Sequence, residues 1–146
     1  MPHARRRRHV SFHRWRVLVV EDDDFFAEAL TELLEADGSL EVAGRARDGR
    51  EAIELAEALR PDVVLMDIVL PVMDGVEATR EIRRRQPTIA VVGITGLEYE
   101  ERALEVQDAG AVDFVRKGRL DPDLVEIVVA AAHHRRRRGG GRATSG

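Results

Sequence analysis

Cysteine is absent from the 146 residues, so neither a disulfide framework nor a thiolate nucleophile or metal site is available, which suits a reducing cytoplasm. Long apolar runs are absent as well. The longest, residues 127–132, falls far short of the roughly 20 residues a membrane-spanning helix needs. Lysine is nearly absent, since Lys117 stands alone among 23 basic residues. Acid is missing from both ends. All 27 Asp and Glu lie between residues 17 and 132 together with 12 of the 23 basic residues, so that segment carries −15 and eleven arginines occupy the flanks. The overall net charge of −4 therefore hides an acidic body between two basic arms.

A chain of this length holds one domain with a real core. We read residues 1–15 as a basic disordered arm, 16–132 as the domain and 133–146 as a basic Gly/Arg-rich disordered tail. Arg5 to Arg8 followed by Ser11 and Phe12 superficially resemble a twin-arginine export signal. The apolar segment such a signal needs is missing, because Glu21, Asp22, Asp23 and Asp24 follow only four apolar residues after Arg16. The expected location is the cytoplasm, with no membrane insertion.

Within the domain, short aliphatic runs alternate with longer amphipathic stretches, as in a parallel sheet wound with helices. The runs are residues 16–20, 40–46, 62–66, 89–95 and 112–115. Three are almost wholly apolar, as strands buried on both faces should be. The second carries Glu41 and Arg45 and reads as an edge. The first helix, about residues 24–36, places Phe26, Ala29, Leu30, Leu33 and Leu34 at helical spacing and stops at Gly38. Phe25 and Phe26 read as core or helix-face residues, Asp23 and Asp24 as caps. The second and third helices open with Asp48/Glu51 and Asp74/Glu77 in capping-box order, and Pro61 and Pro87 follow their ends. The fourth is expected from about 98 to 109, and the fifth opens with Asp121 as cap and Pro122 at its first position.

The fold class is therefore α/β, a doubly wound (βα)₅ five-stranded parallel sheet of flavodoxin-like strand order 2-1-3-4-5. Its ligand site lies beyond the carboxyl ends of strands one and three, where the winding reverses. Strand one delivers Glu21 and Asp22 there, and strand three delivers Asp67. Two carboxylates 4 Å apart repel by about 4 kcal/mol at an effective dielectric of 20, so such a cluster wants a cation. With only oxygen ligands at hand, Mg²⁺ is the natural choice. Strands four and five bring Thr95 and Lys117 to the same edge. A compact ammonium suits phosphate as a flexible point charge, a physical reason for the single lysine.

Val17-Leu18-Val19-Val20-Glu21-Asp22-Asp23, Asp62-Val63-Val64-Leu65-Met66-Asp67, Leu70-Pro71-Val72-Met73-Asp74-Gly75, Thr95 and Gly110-Ala111-Val112-Asp113-Phe114-Val115-Arg116-Lys117 together resemble the response-regulator receiver domains of bacterial two-component systems. The resemblance covers residues 16–132. It implies that Asp67 accepts a phosphoryl group from a histidine kinase or phosphotransfer protein. It also implies Mg²⁺ on Asp22 and Asp67, on Glu21 through water and on the Val69 backbone carbonyl. Lys117 would pair with Asp67 and then with the phosphoryl group, Thr95 would bind another phosphoryl oxygen, and Phe114 would follow Thr95 inward. That switch remodels the face of the fourth helix, fifth strand and fifth helix, through which a downstream effector or a second copy binds. Such a domain catalyses its own modification and is not a turnover enzyme. Val69 and Leu97, at the positions that influence the attacking water, imply slow self-dephosphorylation.

Three residues depart from the family pattern: Glu21 for the commoner Asp, Gly96 for Ala and Gly118 for the usual Pro. Taken singly, Asp67 could be a turn residue, Glu21 to Asp24 helix-start acids and Lys117 a solvated charge. All of them fall at strand ends where the fold requires a site, which favours the functional reading. A haloacid-dehalogenase-type phosphatase would want a second acid where Val69 stands. A flavodoxin-like cofactor site would want a phosphate-cradling loop where four acids stand. Two alternatives remain open, a receiver fragment of a DNA-binding regulator lacking its output domain and a non-phosphorylated pseudo-receiver. Nucleic acid is a weaker expectation for the basic arms.

Overall fold

A computed structural model describes residues 13–96, 100–118 and 123–145. Five strands, β1 (Trp15–Val20), β2 (Leu40–Ala46), β3 (Val63–Asp67), β4 (Ala90–Thr95) and β5 (Asp113–Arg116), alternate with five helices. The helices are α1 (Asp24–Glu35), α2 (Gly49–Leu59), α3 (Gly75–Arg85), α4 (Glu100–Asp108) and α5 (Asp123–Ser145). All pairings are parallel and the strand order is β2-β1-β3-β4-β5, the expected flavodoxin-like arrangement.

Strand alternation divides the core into two layers. Leu18, Val20, Val64, Met66 and Val91 pack with Ala52, Ile53 and Ala56 of α2, Val76 and Ile82 of α3, and Val106 of α4. On the other face, Val17, Val19, Leu65, Val92 and Ile94 meet Leu30 and Leu34 of α1 and Leu124 and Val128 of α5. Strands β3 and β4 are buried at every position, which is why their sequences run apolar without alternating. Strand β2 is largely half-exposed and forms one edge. Each fully buried Val or Leu contributes roughly 1.5–3 kcal/mol, enough to override the modest propensities of these short elements.

The caps act as their sequence spacing requires. Asp48 Oδ1 accepts the Glu51 N–H at 2.9 Å, and Asp74 Oδ1 accepts the Glu77 N–H at 3.0 Å. Asp23 caps α1 by accepting the Phe25 N–H. Asp24 lies in the first turn instead and forms ion pairs. Asp121, Pro122 and Leu97 lie outside the described residues.

Three sequence expectations change. Trp15, assigned to the arm, begins β1, is buried, and donates its N–H to the Ser39 carbonyl. Its indole meets His13 and His133 edge-on, with ring centroids 4.6 and 5.2 Å away. Phe25 is 81% exposed, because its position on α1 turns away from the sheet while Phe26 packs against the core. Helix α5 continues to Ser145, so helical backbone occupies the stretch read as a disordered tail. The helix is anchored by packed residues such as Leu124 and Val128, and each further residue adds a hydrogen bond, which the arginines favour and Gly139 to Gly141 oppose by about 1 kcal/mol each. No described helix is long and apolar enough to cross a membrane.

Candidate functional site

The carboxyl ends of β1 and β3 bring the expected acids together. Ligand oxygens of Glu21, Asp22 and Asp67 all lie within 4.8 Å of one another. Glu21 and Asp67 are buried, at 1% and 2% exposure, whereas Asp22 faces solvent. The Glu21 N–H extends the sheet by donating to Ala46 at 2.9 Å, and its Oε2 accepts the Asp23 N–H at 3.0 Å. Its buried Oε1 makes no hydrogen bond. A buried oxygen with no hydrogen bond and only a 3.5 Å ion pair to Lys117, inside a carboxylate cluster open to solvent at Asp22, fits a hard divalent cation.

Lys117 answers this charge from the end of β5. Its backbone N–H donates to Thr95, and its Nζ lies 3.1 Å from Asp67 Oδ2 and 3.5 Å from Glu21 Oε1. The Phe26 ring supports the ammonium with its centroid 4.8 Å away, a cation–π contact. No peptide bond among the described residues is cis, and Lys117 reaches the acids with Gly118 in place of proline. Burial lowers the Lys117 pKa, but the charge and hydrogen bond of Asp67, with the charge of Glu21, turn the net shift upward. Burial pushes the Glu21 carboxyl up to about 7, aided by the closeness of the Asp67 carboxylate and opposed by the Asp23 amide and Lys117.

Thr95 ends β4 with its hydroxyl buried and without a hydrogen-bond partner. Phe114 pairs with Gly93 across the β4–β5 ladder and is half-buried. Val69 enters the site through its N–H, which donates to Asp67 Oδ1 at 3.1 Å.

The loop after Asp67 is pinned by contacts that sequence spacing does not reveal. The Gly75 N–H donates to Ile68 at 2.8 Å, and the Gly49 N–H donates to Met73 at 3.1 Å. A Cβ at Gly49 would fall 2.2 Å from the Met73 carbonyl oxygen. Asp74, besides capping α3, accepts from Arg102 of α4 at 2.9 Å. The only sequence hint is that both glycines directly follow a capping aspartate.

A profile of the response regulator receiver domain family matches residues 17–129. The chain belongs to the response regulator receiver domain family. Its relatives include a protein-glutamate methylesterase/protein-glutamine glutaminase of Alkalilimnicola ehrlichii, 48% identical over 70% of this chain and 26% of that protein. The corresponding enzyme 1 of Pseudomonas aeruginosa is also 48% identical, over 70% of this chain and 28% of its own length. This chain thus spans about a quarter of the length of those relatives. Among solved structures, the response regulator domain of Thermotoga maritima CheB superposes with a TM-score of 0.78 at 33% identity, covering 83% of this chain and 98% of that one. The signal receiver domain of the putative response regulator NarL from Mycobacterium tuberculosis gives 0.78 at 30% identity, covering 83% and 98%. Membership of this family makes the protein a component of bacterial two-component signalling. In this receiver domain, Glu21, Asp22, Asp67, Val69, Thr95 and Lys117 stand at or beside the carboxyl edge of the sheet, whereas Phe114 lies within β5 opposite Gly93.

Proposed function

We propose that Asp67 accepts a phosphoryl group from a phosphohistidine on a sensor kinase or phosphotransfer protein. The observation that carries this reading is the Lys117 ammonium, held 3.1 Å from Asp67 and 3.5 Å from Glu21 beside a cluster of three acids. An Asp67 carboxylate oxygen attacks phosphorus in line. The phosphorus–nitrogen bond breaks with its electron pair going to the imidazole, which takes up a proton, and an acyl phosphate remains on Asp67. The step needs placement and charge stabilisation more than covalent help.

Asp22, Asp67, Glu21 through water and the Val69 carbonyl would hold Mg²⁺. Bound there, the ion offsets repulsion between the carboxylates and the incoming phosphoryl oxygens. Lys117 moves its hydrogen bond from Asp67 to a phosphoryl oxygen. Thr95 donates its buried hydroxyl, which lacks a partner now, to another. Phe114 follows Thr95 inward, and the α4–β5–α5 face changes shape for an effector or a second copy of the chain. The chain is consumed by this chemistry until hydrolysis, so it is a cytoplasmic switch rather than a turnover enzyme.

The kinship with methylesterase/glutaminase regulators supports a second reading of the output, in which this receiver domain gates an attached or separate effector of that class. Both readings share one test. A small-molecule phosphodonor with Mg²⁺ should add one phosphate to the wild type, seen by intact mass, and none without Mg²⁺ or to Asp67→Asn. Absence of modification under all conditions would leave a pseudo-receiver.

A further inference from the structure

Arg45 makes contacts that the phosphoryl chemistry does not use. It sits on β2 opposite Val19 of β1, at the level of the acid loop. All three guanidinium nitrogens reach that loop. Nε and Nη2 donate to the Glu21 carbonyl oxygen at 3.0 and 2.8 Å, and Nη1 lies 2.8 Å from Asp24 Oδ1. Arg47 closes on the same Asp24 oxygen at 2.6 Å. The Arg45 side chain is only 24% exposed, while Asp24 is largely open to water. The loop is therefore gripped at both ends, and Asp22, one of the three clustered acids, hangs between the grips.

We propose that Arg45 is a positioning residue for the divalent-cation site. Its guanidinium fixes the loop from Glu21 to Asp24, so that a cation meets Glu21 and Asp22 already turned toward Asp67. This rests on the metal-binding reading above. Two effects of Arg45 oppose each other. Its positive charge disfavours a nearby cation, and its fork of hydrogen bonds removes disorder that the cation would otherwise have to overcome. The Asp24 carboxylate, shared with Arg47, offsets part of that charge, and on this proposal geometry is the larger effect. Partners behind a metal's own ligands typically change affinity 10–100-fold when removed.

Calorimetric titration of the unphosphorylated full chain with Mg²⁺ tests this. Arg45→Ala should weaken binding about 10-fold or more. Arg45→Lys, which keeps the charge and loses the fork, should recover little of that loss, and Asp24→Asn should show a smaller one. Circular dichroism and urea midpoints without metal establish that each variant is folded, and if Arg45→Ala is not, Arg45→Lys and Arg45→Gln carry the test. Tighter binding in Arg45→Ala with wild-type behaviour in Arg45→Lys would mean Arg45 acts by charge alone and overturns the proposal. Unchanged affinity in all variants overturns it too. A wild-type chain that takes up no Mg²⁺ overturns the metal reading itself.

Discussion

Gly75 stands so close to Asp67 that a Cβ on it would lie 2.2 Å from the Asp67 carbonyl oxygen and 2.7 Å from the Ile68 Cα. Both obstacles are backbone, so neither can rotate aside. At a first helical position alanine is ordinarily better than glycine by up to about 1 kcal/mol. Here the overlap outweighs that gain, since overpacking costs about 1–3 kcal/mol. Gly75→Ala should lower the urea midpoint and slow phosphorylation by displacing Asp67. Gly118→Ala, where an added Cβ meets nothing within 4 Å, should leave stability within about 0.5 kcal/mol.

Removing the Lys117 ammonium leaves Glu21, Asp22 and Asp67 facing one another without an internal cation. Lys117→Ala should slow phosphorylation by about 10²–10³-fold, the size expected for one lost charge-stabilising group. It should also make Mg²⁺ more stabilising than in the wild type, because the ion then relieves repulsion alone. Thermal unfolding with and without Mg²⁺ gives the readout, and an equal metal-induced shift in both proteins would contradict it.

Val72 adopts φ 65 while 73% exposed, so a β-branched side chain occupies the left-handed region with little packing in return. That conformation costs an L-residue about 1–2 kcal/mol, and asparagine tolerates it far better. Val72→Asn should raise stability by about 0.5–1 kcal/mol with an unchanged denaturant slope. Equal midpoints would show that the loop carries no such strain.

Burial pushes the Asp74 carboxyl up, but the Glu77 amide and the Arg102 guanidinium together hold it below its ordinary value. A depressed folded pKa means the contribution is present above the unfolded pKa of about 3.9 and fades as pH falls through the folded value. Asp74→Asn keeps a capping side chain and loses the ion pair. It should cost about 0.5–1 kcal/mol near neutral pH, in the range of a partly exposed pair, and less in strong acid. A pH series of urea midpoints decides whether the deficit shrinks on the acid side.

Val69 is 45% exposed and cannot orient an attacking water by a side-chain hydrogen bond. Phosphorylated protein should therefore lose its label over minutes or longer, and Val69→Asn should shorten that time. Loss from the wild type within seconds would sink the expectation.

Elements with their own periodicity or punctuation were legible in the sequence. The aliphatic runs, the Asp48 and Asp74 caps and the prolines after α2 and α3 are local signals, and the structure agrees within one or two residues at the ends that can be compared. Glu21, Asp22, Asp67, Thr95 and Lys117 were legible for a related reason, since parallel winding sends every strand's carboxyl end to one edge. Arg45, Phe26 beneath Lys117 and the close approach of Gly75 to Asp67 were not. Each depends on how far apart two remote segments settle.

By itself the sequence determined the strand–helix alternation, the acidic body and the residue types at the strand ends, because burial and capping act over a few neighbouring residues. Tertiary structure alone decided which charges meet. It turned Asp24 toward Arg45 and Arg47, left Phe25 in water and set Lys117 between two buried carboxylates. The reason is range: distances between side chains on different strands follow from sheet register and helix packing, which no single segment encodes.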